Sequence, residues 1–303
     1  MIKKKNILIT GAHGFIARHL SNILSKKKFN VYGIGNKKKN LNKNIKLSYK
    51  KLSNKKINYN NLKNFKSLDI IIHCAGTGTV RSSNKEHLLK NYITTKSLIK
   101  FCKSIKEKQK IIFLSSYSIY GEKYNRPIKE YFKTNPKSCY SKTKKKSEDA
   151  LIKLKNSHKI NIKILRLASI YGNGIEKQLL FDVCKKIQNN SGDFYGTGDE
   201  VRDWMHISDL GNLILKIITA NDRKNTIINC GSGKGQKVKF IINKIKRGLK
   251  SKVKISFTKK DSNHPKFLVV NNNIARTYNW NPKININEGI TQYINWYKKT
   301  WLK

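Results

Sequence analysis

The strongest constraint on this fold is a junction near residue 10, where the apolar run Asn6 to Thr10 passes into Gly11-Ala12-His13-Gly14-Phe15-Ile16-Ala17 and then into a helical pattern. A strand that turns on glycine into a helix presents unpaired backbone N–H groups at the positive end of the helix dipole. There Gly11 permits the tight turn and Gly14 lets the backbone approach a pyrophosphate. Ala17 fills the small position needed where the helix packs on the strand. Glycine spacing alone is a weak signal, but its placement between strand and helix points to a dinucleotide.

Apolar runs alternate with helical patterns through the first two thirds of the chain, which predicts an α/β protein with a doubly wound, mostly parallel Rossmann sheet. Strands are expected at Asn6–Thr10, Asn30–Gly35, Lys46–Tyr49, 69–75, Lys110–Ser116 and 160–168. Several are apolar throughout, as strands covered on both faces are. Phe15–Lys26 reads as a helix with Ile16, Leu20, Ile23 and Leu24 on one face. The helix expected at 86–105 is apolar too widely for one stripe, so one face suits the sheet and the other a partner subunit.

Beyond Gly172 the pattern loosens into glycine-marked loops around a short helix at Gln178–Gln188. Residues 226–230 read as a late strand returning to the main sheet, and 290–301 as a core helix. The expected organisation is a cofactor-binding Rossmann domain at 1–171, with 202–230 returning to it. Residues 172–201 and 231–303 then form a smaller, discontinuous substrate-binding lobe.

With 303 residues and 38% hydrophobic content the chain can bury one large core, or a core and a lobe. No apolar run nears the roughly 18 residues of a membrane span, so neither membrane insertion nor a signal peptide is expected. Five widely spaced cysteines without a CxxC or Cys/His cluster suggest no disulfide framework and no metal, which suits a reducing cytoplasm.

The formal net charge of +48 invites a polyanion partner. Arginine, the better phosphate and base fork, supplies only eight of the 65 cations, and the lysines run from Lys3 to Lys303 without forming a stripe. The excess reads as compositional drift over solvated faces, and nucleic acid is not an expected partner.

In an NAD site an acidic residue about 20 positions past the glycine loop binds the adenosine ribose. Here the first acid of the chain is Asp69, and the second strand runs into Asn36-Lys37-Lys38-Lys39. Room and positive charge at Asn36 and Lys37 favour NADP(H), while general lysine enrichment leaves NAD(P) open.

Lys110–Ser116 runs into Tyr117-Ser118-Ile119-Tyr120-Gly121, and Tyr140-Ser-Lys-Thr-Lys144 follows at a helix start. Positions i and i+4 share a helix face, so Tyr140 and Lys144 point the same way. A nearby cation favours the phenolate and is expected to lower the Tyr140 pKa toward working pH, making it a general acid or base. Ser116, at the carboxyl end of its strand, is placed to hydrogen-bond the same reacting oxygen.

These motifs, with His73-Cys74-Ala75-Gly76, Asn91, Leu165 to Gly172, Arg202 to Asp209, Asn229 to Gly233 and Trp280-Asn-Pro282, resemble the extended short-chain dehydrogenases. The specific likeness is to the NAD-dependent epimerase/dehydratase family of nucleotide-sugar enzymes, and it runs nearly end to end. The resemblance implies Ser116, Tyr140 and Lys144 as catalytic triad, with Lys144 also holding the nicotinamide ribose. It lines the cofactor with Gly11, His13, Gly14, Phe15, Ile16, Cys74, Ala75, Gly76 and Asn91. Arg202 is the expected grip on the substrate diphosphate, and Ser169 stands where many members have an asparagine near the nucleotide. Two departures fall at the nucleotide end: Lys51-Leu52 where an adenine-contacting Asp is common, and Asn263-His264-Pro265 in place of an arginine-containing stretch.

Similar 4,6-dehydratases carry an Asp-Glu pair after the catalytic Ser/Thr, where this chain has Tyr117 and Ser118. With no carboxylate there, dehydration is disfavoured, leaving hydride transfer at one carbinol, C4. A 4-epimerase is expected ahead of an NADPH-dependent 4-ketoreductase. A non-catalytic NADP(H) sensor that touches nucleic acid through its positive surface is a third reading, against which the intact triad argues. By resemblance the partners are a nucleotide-diphosphate sugar and a second copy of the chain, in a homodimer through helices 86–105 and 140–154.

Overall fold

The computed structural model describes residues 4–27, 29–35, 46–49, 68–76, 85–105, 109–222, 224–258 and 265–302. The first half runs β1 (Asn6–Thr10), α1 (Phe15–Lys26), β2 (Asn30–Gly35), β3 (Lys46–Tyr49), β4 (Ile70–His73), α2 (Lys85–Ser104), β5 (Lys110–Ser116), α3 (Cys139–His158) and β6 (Ile162–Leu167). There follow β7 (Ser169–Tyr171), α4 (Gln178–Gln188), β8 (Asp193–Tyr195), β9 (Val201–His206), α5 (Ile207–Thr219) and β10 (Ile227–Cys230). The chain closes with β11 (Gly235–Lys237), α6 (Val238–Gly248), β12 (Ser256–Thr258), β13 (Phe267–Leu268), α7 (Asn273–Arg276) and α8 (Ile286–Trp301). None of the described helices is long and apolar enough to cross a membrane.

Two compact units divide the chain. The first comprises Met1–Ile119, Pro136–Arg166 and Ile214–Ile228; the second comprises Tyr120–Asn135, Leu167–Leu213 and Asn229–Lys303. The main sheet has seven strands in the order β10-β6-β5-β4-β1-β2-β3. Pairs β1–β2, β1–β4, β2–β3 and β4–β5 are parallel. Its central strands are apolar because both faces are covered: Ile7, Leu8, Ile9, Ile71 and Ile72 are fully buried. The chain leaves β1 in one direction for β2 and β3 and in the other for β4 and β5, so the order reverses between β1 and β4. Open α/β sheets bind ligands outside the strand ends at such a reversal. Thr10 and His73, the last residues of β1 and β4, are direct partners across it.

In the second unit β9 pairs antiparallel with β11 and parallel with β13 and β7, while β8 and β12 form a separate parallel pair. Helix α6 packs between α4 and α8. Ile241, Ile242 and Ile245 of α6 and Ile290, Tyr293 and Tyr297 of α8 are buried. Two motif carboxylates do structural work here. Asp203 accepts from the Ser232 and Gly233 backbone N–H groups at 2.8 and 3.1 Å and from the Ser232 hydroxyl at 2.7 Å. Asp209 accepts from the backbone N–H groups of Lys283 and Ile284, both at 3.0 Å, while its carbonyl accepts from Trp280 Nε1 at 3.0 Å. The Trp280-Asn-Pro282 signature is therefore an anchor for the segment entering α8.

Candidate active site

At the carboxyl ends of β1 and β4 the backbone forms a cradle. Thr10 Oγ1 meets His73 Nδ1 at 2.8 Å and accepts from the Ala75 N–H at 3.2 Å, drawing the two loops together. Gly11 then turns at φ +68°, and a Cβ there would sit 2.8 Å from Ala75 Cα. Gly14 caps α1 in an extended conformation without a side-chain hydrogen bond, and the first turn of the helix carries no acidic residue. Its leading N–H groups face no competing anion of their own helix, so this cradle fits a pyrophosphate. The His13 ring packs against the Gly35 backbone at the end of β2, and Phe15 meets His19 edge-to-face at 4.8 Å. Asn36 and Lys37, expected to read the ribose, lie outside the described residues, as do Lys51, Leu52, Asn263 and His264.

The Cys74–Gly76 turn ends beside Asn91 and Lys144. A Cβ on Gly76, whose φ is +155°, would fall 2.5 Å from Asn91 Oδ1 and 3.8 Å from Lys144 Nζ. Asn91 is buried in α2. His73 is fully buried, reaches Thr95 Oγ1 at 3.3 Å and stacks on Phe113 with ring centres 5.7 Å apart. Burial, and then the Lys144 charge, lower its pKa to about 3, so it stays neutral and latches β4 to β1 and α2.

Ser138 caps α3 by accepting from the Ser141 N–H at 3.1 Å, which sets Tyr140 in the first turn and Lys144 one turn on. Tyr140 hydrogen-bonds Ser116, and Ser116 Oγ lies 2.9 Å from Ser118 Oγ. Lys144 is buried, donates to the Leu114 carbonyl at 2.7 Å and sits 5.0 Å from the Phe113 ring centre. The three residues expected to react are thus brought together within the first unit.

The electrostatics differ from the sequence expectation. Burial pushes the Tyr140 pKa up to about 12, against the pull of the Ser116 hydrogen bond, rather than down toward working pH. The same burial lowers Lys144 to about 8. Its ammonium, 5.9 Å from the Tyr140 ring centre, bonds to a carbonyl instead of the phenol oxygen, so withdrawal from water outweighs its attraction.

Ser169 and Arg202 belong to the second unit. Ser169 opens β7 and pairs with Trp204; Arg202 lies in β9, and its Nη1 donates to the Val201 carbonyl at 2.9 Å. Tyr117 and Ser118 form a short 3-10 turn directly after β5, and neither offers a carboxylate. One buried group near the triad that sequence reading missed is Glu148; its sole signal is an acid one turn past Lys144 in a lysine-rich helix.

The model of the NAD dependent epimerase/dehydratase family matches residues 7–231. A Methanocaldococcus jannaschii protein provisionally assigned as a UDP-glucose 4-epimerase is 26% identical over 304 residues, covering 96% of this chain and 98% of that protein. A UDP-glucuronate 4-epimerase of Thermodesulfobacterium geofontis is 26% identical over 313 residues, covering 96% of each. The UDP-glucuronic acid 4-epimerase of Bacillus cereus, solved with UDP-glucuronic acid and NAD, superposes with a TM-score of 0.86 at 22% identity. That match covers 98% of this chain and all of the other, and it establishes the fold.

Proposed function

The chain belongs to the NAD dependent epimerase/dehydratase family, and from this premise we propose that it is an epimerase acting at C4 of a nucleotide-diphosphate sugar. The observation that carries the reading is the Ser116–Tyr140 hydrogen bond with Lys144 buried beside the Cys74–Gly76 turn. The UDP-glucuronate 4-epimerase relative and the provisionally assigned UDP-glucose 4-epimerase support it, and so does the lack of a carboxylate at Tyr117 and Ser118, which elimination of water needs.

Gly11, Gly14 and the α1 N-terminus would hold the dinucleotide phosphates, and Gly76, Asn91 and Lys144 the nicotinamide ribose. Bound there, a nicotinamide dinucleotide supplies a hydride acceptor that can give the hydride back. The residues of the chain handle the proton: Ser116 hydrogen-bonds O4 of the sugar, and Tyr140 takes the O4 proton as the C4–H pair leaves. Tyr140 returns it when the 4-keto sugar, presented by its other face, is reduced. Because burial holds Tyr140 protonated, the Lys144 charge is what makes the phenolate accessible. Arg202 is assigned the substrate diphosphate and Ser169 the nucleotide, both in the second unit.

One observation favours a second reading, a 4-ketoreductase that consumes NADPH: no acidic residue precedes Asp69. The experiment is to incubate the protein with UDP-glucose, UDP-N-acetylglucosamine, UDP-glucuronate and 4-keto nucleotide sugars, with and without NADPH, while titrating NAD(H) and NADP(H). Turnover without net cofactor change is expected. Stoichiometric NADPH consumption overturns the epimerase reading.

We also propose a homodimer through α2 and α3, which pack side by side. Leu89 on α2 is 52% exposed, an apolar surface that a second copy would cover. Light scattering at micromolar concentration is expected to give about twice the 35.0 kDa chain mass; a monomeric mass excludes this interface.

A further inference from the structure

Three consecutive residues at the end of β5 are tied to three successive positions on one face of α3. Ser116 hydrogen-bonds Tyr140, the Leu114 carbonyl accepts from Lys144, and the Ser115 hydroxyl donates to Glu148 Oε1 at 2.5 Å. Tyr140, Lys144 and Glu148 are spaced four apart and so rise along one side of the helix. The third tie ends in a charge. Glu148 also accepts from Arg166 of β6, at 3.2 Å from Nε and 2.9 Å from Nη2, with side chains 1% and 4% exposed.

We infer that Glu148, clamped by Arg166 and Ser115, is a positioning residue for the reaction. It fixes the register of α3 on β5 that brings Tyr140 to Ser116, and it supplies the negative charge that keeps Lys144 cationic. This rests on the reading of Tyr140 and Lys144 as the reacting pair.

The surroundings of Lys144 leave that electrostatic task to Glu148. From β4 and the turn after it come His73, held neutral, and Cys74, whose thiol burial pushes up to about 12 so that it carries no charge at working pH. From α2, Asn91 reaches the same Gly76 that Lys144 flanks, and its amide carries no charge. From α3 itself comes Tyr140, protonated. Arg166 on β6 adds a positive charge behind the carboxylate. Of the groups that pull the Lys144 pKa upward against its burial, Glu148 is therefore the ionised one.

Lys144 is charged below about pH 8 and loses its proton as pH rises through that value. In Glu148→Gln the Ser115 acceptor survives but the negative charge is gone while Arg166 keeps its positive one, so the alkaline limb of kcat moves to lower pH. A displacement of about one pH unit is expected, with a roughly threefold loss of kcat at pH 7.5 that approaches roughly tenfold well above pH 8. The Glu148→Gln/Arg166→Met protein removes both charges of the buried pair together, is expected to fold, and should place its limb between the other two.

A readout free of turnover accompanies these: acetylation of Lys144 by acetic anhydride against pH, followed by peptide mass spectrometry, should show the same displacement. If limb and Lys144 reactivity stay at their native pH in the folded variants, the inference is overturned and the pair is merely structural. If Lys144→Met turns over at the native rate, it is the reading of the reacting pair that fails.

Discussion

Tyr140→Phe is expected to lower turnover by about three orders of magnitude while the protein stays folded and binds cofactor. The hydroxyl is the group placed to exchange a proton with a carbinol bonded to Ser116, and burial holds that proton at a pKa of about 12. Removing it orphans nothing: Ser116 Oγ keeps Ser118 Oγ at 2.9 Å, and the ring remains 5.9 Å from the Lys144 ammonium. Stability should therefore change by about 1 kcal/mol or less. Steady-state conversion of UDP-sugars and thermal unfolding measure the two effects. Turnover within tenfold of the native rate would assign the proton to another group. An unchanged cellular phenotype would favour a cofactor sensor over an enzyme.

Gly11→Val is expected to weaken dinucleotide binding at least about 100-fold and to lower the melting temperature. Its φ of +68° costs a residue with a Cβ roughly 1–2 kcal/mol, and a β-branched one more. The added carbon would also stand 2.8 and 2.9 Å from Cα and N of Ala75, backbone atoms that cannot swing aside. Relief requires moving the Cys74–Gly76 turn, whose Ala75 N–H is held by Thr10. That movement opens the cradle from both sides. Fluorescence titration with NADH and NADPH reads the affinity. Native affinity in the valine protein would place the dinucleotide elsewhere.

How much was legible in the sequence follows from where the information lies. Phe15–Lys26, Asn30–Gly35, Lys46–Tyr49, Lys110–Ser116 and Gln178–Gln188 have the expected bounds; the clearest case is Phe15–Lys26, whose apolar stripe is bracketed by Gly14 and Lys27. The strand expected at 69–75 is only Ile70–His73, since Cys74, Ala75 and Gly76 are spent on the turn under the cradle. In the second unit β8, β11, β12 and β13 are two or three residues long, too short for a period. The buried isoleucines of α6 are interleaved with lysines that masked its stripe.

Within the candidate site, the juxtaposition of Ser116, Tyr140 and Lys144 was readable from residue type and spacing. The direction of the Tyr140 pKa was not, because spacing reports the nearby cation and not the loss of water. Glu148 resembled one more solvated helix charge; its burial depends on Arg166, eighteen residues on and in strand β6.

The position of β10 bears on how the chain comes off the ribosome. β6 lies between β5 and β10 in the sheet, joined to the latter side by Ile164 N–H to the Thr226 carbonyl at 2.7 Å and Ala168 N–H to the Cys230 carbonyl at 2.8 Å. During synthesis the apolar β6, with Ile162, Ile164 and Leu165 in place, remains an open edge for some sixty further residues. An unpaired apolar edge is a template for self-association. A fragment cut near residue 171 keeps that exposure permanently, so chaperone dependence and insolubility of such truncations follow from strand order alone.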